Sequence, residues 1–234
     1  MLHIDAHDLS FSAQPDGLRH GGFEVVAETF GSNGERADHS DRSFSMDLKP
    51  DQYEAALLGG VVYVVNQPVR APGMYQMRVA LRDQGSERIG SANQFIEVPD
   101  LSSGRLALSS ILLRRDLRGE GQVGLDDPAA GAALRVFRAG DSLSYDYVVF
   151  NAHTVDLLVQ TRLYRDGNVV YTGQPMIPTL TGDVASGRLL AGGHMPLAEG
   201  ISAGDYVLQV VVTDKLTSQK SRSASQAIDF AVAR

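Results

Sequence analysis

The chain has 234 residues and a formal net charge of −7, which is long enough for one or two buried cores and lacks the basic stripe of a nucleic-acid binder. It contains no cysteine, excluding disulfides, thiolate metal sites and a cysteine nucleophile. No run approaches the roughly 20 apolar residues needed to span a bilayer, and Met1-Leu2-His3-Ile4-Asp5 shows neither the basic nor the apolar region of a signal peptide.

At the start, His3, Asp5 and His7 occupy alternate positions and would share one face of a strand. Two imidazoles and a carboxylate suit a first-row metal, although a solvated terminal strand reads the same way. His20, His39, His153 and His194 have no ligand spacing. Strands are predicted over Phe23 to Phe30 and Ser43 to Leu48, with Asn33-Gly34 as a turn after the first. Pro50 to Leu58 has Pro at its start, acidic residues in its first turn and Gly59-Gly60 to stop it, which predicts a short helix. Gly60 to Asn66 is the next strand. Tyr75 to Arg82 then alternates apolar with polar or small side chains, the period of a strand with one face on a core. Asn93 to Val98 follows.

Pro99 to Gly104 reads as a boundary, and Arg105 to Leu113 as a new strand. Arg114-Arg115 beside Asp116 and Glu120 reads as a solvated loop. It opens a stretch to Ala133 rich in Gly, Ala, Asp and Pro, too long for a hairpin and read as a mobile insertion. Gly119-x-Gly121-x-x-Gly124 in that stretch precedes Asp126-Asp127-Pro128 rather than a helix, so it is no dinucleotide fingerprint. Further strands are predicted over Ser142 to Asn151, Leu157 to Arg165, Asn168 to Thr172, Gly187 to Gly192 and Ser225 to Val232, with Asp166-Gly167 as a strong hairpin signal.

The chain also contains itself twice. Ala71 to Val98 returns as Ser202 to Phe230: Gly73 matches Gly204, Tyr75 matches Tyr206, Val79 matches Val210 and Asp83 matches Asp214. After a one-residue slip, Ser91-Ala92, Gln94 and Ile96 match Ser223-Ala224, Gln226 and Ile228. A supersecondary unit repeated at wide spacing indicates two domains of similar design. Many short strands between Gly-, Asn-, Asp- and Pro-bearing turns make the fold all-β, two tandem immunoglobulin-like β-sandwiches over residues 1–100 and 101–234. The repeated Gly-x-Tyr fits a tyrosine corner, in which the hydroxyl bonds back to the upstream backbone. Asp83 and Asp214 end their strands, where a short carboxylate caps the next turn.

These residues resemble a known family. Pro72-Gly73-Met74-Tyr75 to Asp83, Gly90 to Leu101, Phe137-Arg138-Ala139-Gly140-Asp141, Tyr164-Arg165-Asp166-Gly167 and Gly204 to Val210 are similar to the C-terminal region of bacterial von Willebrand factor A-related proteins. The resemblance covers nearly the whole chain. It implies β-sandwich modules that follow a secreted, metal-dependent adhesion domain, and so an extracellular or periplasmic setting. Asp41-Arg42-Ser43-Phe44-Ser45 matches the D-x-S-x-S pattern with which that adhesion domain holds magnesium. Here polar residues precede it, and Phe44, Met46 and Leu48 alternate with Ser43, Ser45 and Asp47 as in an antiparallel strand.

No nucleophile elbow or phosphate loop is present. With no Trp and 7% aromatic residues, the chain is poor in the platforms that carbohydrate recognition uses. The reading is a non-catalytic structural or protein-interaction module whose partner is a protein of unknown identity. The alternative is a ligand-binding module for a glycan or a metal. No catalytic, cofactor-binding or metal residue is assigned, and neither nucleic-acid binding nor membrane insertion is expected.

Overall fold

A computed structural model describes residues 1–69, 71–115, 133–217 and 220–233. They form two compact units, one of residues 1–98 and one of residues 99–115 with 134 onward.

The first unit runs β1 (Leu2–Ile4), β2 (Phe11–Ala13), β3 (Arg19–Gly31), β4 (Arg36–Leu48), α1 (Pro50–Gly59), β5 (Val61–Tyr63), β6 (Gly73–Asp83) and β7 (Ile89–Val98). Its main sheet is antiparallel. β4 lies along one edge of β3, with β6 and then β7 beyond the other; β2 extends the line of β6. β3 buries every second residue, Phe23, Val25, Ala27 and Thr29. The layer across from that face is small: β1 paired with β5, flanked by α1. Ile4, Leu9, Phe23 and Val25 are the buried heart of this core, with Leu2, Met46, Val61, Tyr63, Val79 and Leu81 partly covered around them.

The helix predicted over Pro50 to Leu58 forms. Pro50 fixes its first turn, the Lys49 N–H donates to the Gln52 side chain (3.0 Å), and Gly60 ends it with φ +76°. A Cβ at Gly60 would strike the His3 ring and the Ile4 carbonyl oxygen, so glycine is needed there twice over. β4 begins at Arg36, earlier than Ser43. Residues 36–42 join the sheet through the backbone ladder to β3 and bury little, which is how a polar edge strand escapes a reading based on apolar alternation.

The second unit runs β8 (Ala107–Leu108), β9 (Leu112–Arg115), β10 (Val136–Arg138), β11 (Ser142–Phe150), β12 (Leu157–Arg165), β13 (Asn168–Thr172), β14 (Thr179–Asp183), β15 (Arg188–Pro196), β16 (Gly204–Thr217) and β17 (Lys220–Ala233). One sheet has the order β10-β17-β16-β12-β13, and the other β14-β15-β11-β8, with β9 also on β11. β10 runs parallel to β17, and the other pairs are antiparallel. These are the connections of an immunoglobulin-like sandwich: β8/β9, β11, β15 and β14 stand as A, B, E and D against β12, β13, β16 and β17 as C, C′, F and G. Leu113, Leu143, Val149, Leu157, Leu189, Leu208, Val210 and Val212 fill the space between the sheets and are fully or almost fully buried.

The single strand predicted over Arg105 to Leu113 is two pieces. Ser109 breaks it by turning its hydroxyl to accept from the Val148 N–H (2.9 Å). Arg114 and Arg115 correct another expectation. They end strand β9, where Arg114 pairs with Asp146 and Arg115 with Asp141 (2.9 Å), so they are not a solvated loop. The rest of the predicted insertion, residues 116–132, lies outside the described residues, as do Gly119, Gly121, Gly124 and the Asp126-Asp127 pair.

By topology the first unit repeats C, C′, F and G as β3, β4, β6 and β7, and B and E as β1 and β5. Phe23 lies opposite Asp83 as Leu157 lies opposite Asp214. Its layer across the core stops at those last two strands among the described residues.

Candidate interaction edges

The repeated aspartates are anchors. Asp83 accepts from the Ser10 N–H (3.1 Å) and the Ser86 hydroxyl (2.6 Å). Asp214, with no exposed surface, accepts from the His153 N–H (2.9 Å), the Thr154 hydroxyl (3.0 Å) and Arg222 (3.0 Å). Burial pushes each carboxyl up, but the hydrogen bonds to the charged form outweigh it and hold both below the ordinary carboxylate value. Each aspartate thus ties the loop entering strand C to strand F. Sequence comparison found this pair but missed its companions. Arg222 also donates to the carbonyls of Gly104 (3.0 Å) and Asn151 (2.8 Å) and touches His153 Nδ1. Across the hairpin from Asp83, Arg88 donates to the His7 carbonyl (2.9 Å). The Arg and His lie at shifted spacings in the two copies, so a linear alignment does not register them.

Both tyrosine corners form. The Tyr75 hydroxyl donates to the Ala71 carbonyl and the Tyr206 hydroxyl to the Ser202 carbonyl, each at 2.8 Å. Their surroundings differ. Tyr206 is buried, stacks on Phe230 and lies under the Arg165 guanidinium, whereas the Tyr75 hydrogen bond is exposed to water. The strongly perturbed Tyr147 hydroxyl, pushed up by burial, belongs to a core ring stacked on Tyr145.

The candidate metal residues are not brought together. β1 ends before Asp5, which caps a short 3₁₀ turn and accepts from the His7 N–H and ring (both 2.9 Å), while His3 Nε2 bonds the Gly59 carbonyl oxygen (2.9 Å). Asp41, Ser43 and Ser45 point from one face of the extended strand β4 opposite Val26, Glu24 and Gly22, too far apart along the strand to share an ion. Among the described residues no group of three or more His, Asp or Glu is placed to hold a metal.

What the structure leaves open is sheet edge. In the second unit, β13 pairs only with β12 among the described residues, and all five of its residues are exposed. Val169, Val170 and Tyr171 are about half exposed, and Met176 and Ile177 continue the same edge, since Met176 bridges Val159 of β12. An unpaired ladder lined by β-branched and aromatic side chains is a template for another strand, and neither lysine nor proline stands on β13 itself, while Pro175 and Pro178 flank Met176 and Ile177 beyond it. In the first unit, β7 pairs only with β6 among the described residues and exposes Ile89 (71%) and Phe95 (67%). No helix among the described residues is long and apolar enough to cross a membrane.

No family model and no curated protein matches the chain. Among solved structures it is similar to one described as Dpr2 Ig1-Ig2 in complex with DIP-Theta Ig1-Ig3, at 6% identity and a TM-score of 0.22. The match covers 89% of this chain, which spans about half (53%) of that one. So distant a likeness carries no argument, and the tandem immunoglobulin-like fold rests on the strand order itself.

Proposed function

We propose that the chain is a non-catalytic protein-interaction module that recruits a partner through a free sheet edge. The observation that carries this is β13, an edge strand with every residue exposed and apolar side chains along it. Main-chain groups on such an edge supply affinity for any extended segment, and side chains such as Val170 and Tyr171 supply selectivity. The polar clusters support the same reading: the buried carboxylates are spent on loops and hold nothing reactive. The resemblance to the C-terminal region of bacterial von Willebrand factor A-related proteins supports placing the module in a secreted or cell-surface protein. A photo-cross-linker at position 171, compared with one at Ser12 on the short strand β2, tests the proposal in producing cells. Cross-links to a second protein concentrated at position 171 are expected, and equal or absent cross-linking at the two positions would refute it.

A further inference from the structure

We propose that Asn33 is a site of spontaneous modification, where the chain converts a side-chain amide into a carboxylate without an enzyme and the isoaspartyl product unlatches the tip of the β3–β4 hairpin. Asn33 alone among the asparagines precedes a glycine; Asn66, Asn93, Asn151 and Asn168 precede Gln67, Gln94, Ala152 and Val169. Deamidation depends on the backbone nitrogen of the following residue, which must approach the asparagine Cγ closely. Glycine leaves that approach open, whereas a Cβ and what it carries obstruct it. Local structure separates Asn33 further. The Asn151 amide is held by donating to the carbonyls of Leu101 (2.9 Å) and Arg105 (3.1 Å). Residues 32–35, by contrast, are exposed, and a Cβ added at Gly34 would meet nothing within 4 Å.

The steps balance without any change of oxidation state. A solvent base takes the proton of the Gly34 backbone nitrogen, and that nitrogen attacks Asn33 Cγ. The N–Cγ bond forms, the Cγ–Nδ2 bond breaks, and the amide nitrogen takes a proton from water and leaves as ammonia. Water then opens the cyclic succinimide at either of its carbonyls. Opening at one restores the ordinary main chain as aspartate. Opening at the other routes the main chain through the former side chain as isoaspartate. The net change turns an amide and a water into a carboxylate and an ammonium ion.

The turn itself sets the pace. Gly34, at φ +78°, completes a tip in which its N–H donates to the Gly31 carbonyl (2.9 Å) and the Gly31 N–H donates to the Glu35 carbonyl (2.9 Å). The Asn33 side chain latches the same tip: its Oδ1 accepts from the Glu35 N–H (3.1 Å), and its Nδ2 donates to the Glu35 carboxylate (2.8 Å). With the Gly34 N–H engaged and the Asn33 amide held on both sides, attack requires the tip to open, so folding slows the reaction without preventing it. The isoaspartyl product cannot restore the latch. Its Nδ2 donor is gone, its new carboxylate would face that of Glu35, and an added main-chain methylene moves Gly34 out of register with Gly31. Below the tip the ladder resumes at the Phe30–Arg36 pair, so the loosening is confined to residues 31–35.

The test incubates the full chain in warm, mildly alkaline buffer and maps its peptides by mass spectrometry, beside a synthetic peptide of residues 30–37 (FGSNGERA). Conversion at Asn33 should exceed that at every other asparagine at least ~tenfold, and should run at least ~tenfold slower in the folded chain than in the peptide. The isoaspartyl chain separates from the starting chain by its added negative charge. Amide exchange at Gly31, Gly34 and Glu35 should quicken in it at least ~tenfold. Asn33→Asp, with the same charge and an unaltered main chain, should keep most of that protection. Equal conversion at Asn33 and another asparagine overturns the proposal, as does a folded rate equal to the peptide's. So does an isoaspartyl chain as protected at these amides as the unmodified one, or an Asn33→Asp chain that exchanges there as fast as the isoaspartyl one.

Discussion

Phe23 in the first unit and Leu157 in the second sit at the same point, each opposite the anchoring aspartate of strand F, which ends β6 in the first unit but lies three residues inside the end of β16 in the second, and both are fully buried. Away from that point the units diverge. Val210 and Val212 of β16 have no exposed surface, whereas Val79 and Leu81 of β6 are only partly covered. The strands carrying these residues come from the repeat and share alternation, turn chemistry and corner tyrosine. The difference lies across the core, where the second unit places β14, β15, β11, β8 and β9 and the first places β1 and β5. An inward-facing valine contributes according to the surface it loses to water, and that depends on the opposing layer more than on its own strand.

The largest contrast should come from the cores. Leu208→Ala should cost about 2–5 kcal/mol, while Met77→Ala, at the matching but half-covered position, should cost about 1 kcal/mol or less. At the anchors, Asp214→Ala removes the carboxylate partner of the part-buried Arg222 and leaves the His153 N–H and Thr154 hydroxyl without their acceptor, and should destabilise the second unit by about 2–4 kcal/mol. Asp83→Ala loses hydrogen bonds to Ser10 and Ser86 without stranding a cation, and about 1–3 kcal/mol is expected. Urea unfolding followed by amide exchange resolves the two units, and equal losses would mean that the ion pair adds nothing.

At the corners, Tyr206→Phe should lose about 1 kcal/mol, because a part-buried hydrogen bond to the Ser202 carbonyl and the contact from Arg165 are both lost. Tyr75→Phe, whose hydrogen bond faces water, should lose about 0.5 kcal/mol or less. The sequence repeat alone would make the two equal, and unfolding curves decide. Acid acts on both units with the same sign. The carboxyls of Asp83 and Asp214 are lowered in the folded state, so their stabilisation is complete above the ordinary value near 3.8 and is lost as pH falls through the folded values. Unfolding midpoints should therefore hold through neutral pH and fall below about pH 4, and Asp214→Asn should flatten that fall in the second unit only. The smallest effect belongs to Tyr171→Phe on the exposed edge, within about 0.5 kcal/mol in stability, so a cross-linker that replaces the tyrosine there leaves the fold intact and reports on binding.

Local chemistry wrote much of this fold into the sequence. Strand alternation placed β6 and β16, Asp166-Gly167 closed the hairpin between β12 and β13 with both residues at positive φ, and Pro50 and Gly60 bounded the helix. The repeat located both corner tyrosines and both anchoring aspartates, because a corner and a strand end demand fixed residue types at fixed offsets. Short or polar strands were illegible. β10, β14 and the first half of β4 join their sheets through backbone pairing, which leaves no side-chain period to read. The partners of the aspartates were likewise hidden, since Ser10 and Ser86 reach Asp83 while His153, Thr154 and Arg222 reach Asp214, from loops of different length.

Which edges stay free is a property of assembly. Asn168 to Thr172 reads as a strand in either case, and only the sheet order shows that no described strand pairs with its far side. The second unit lays β8 against β11, whereas among the described residues of the first unit no strand lies against β1 except β5, a fact about strands distant in sequence. The residues determined the strands, the turns and the corners through local sterics and hydrogen bonding; the tertiary structure decided where the two similar sheets were left unfinished, because burial is settled by whatever packs across the core.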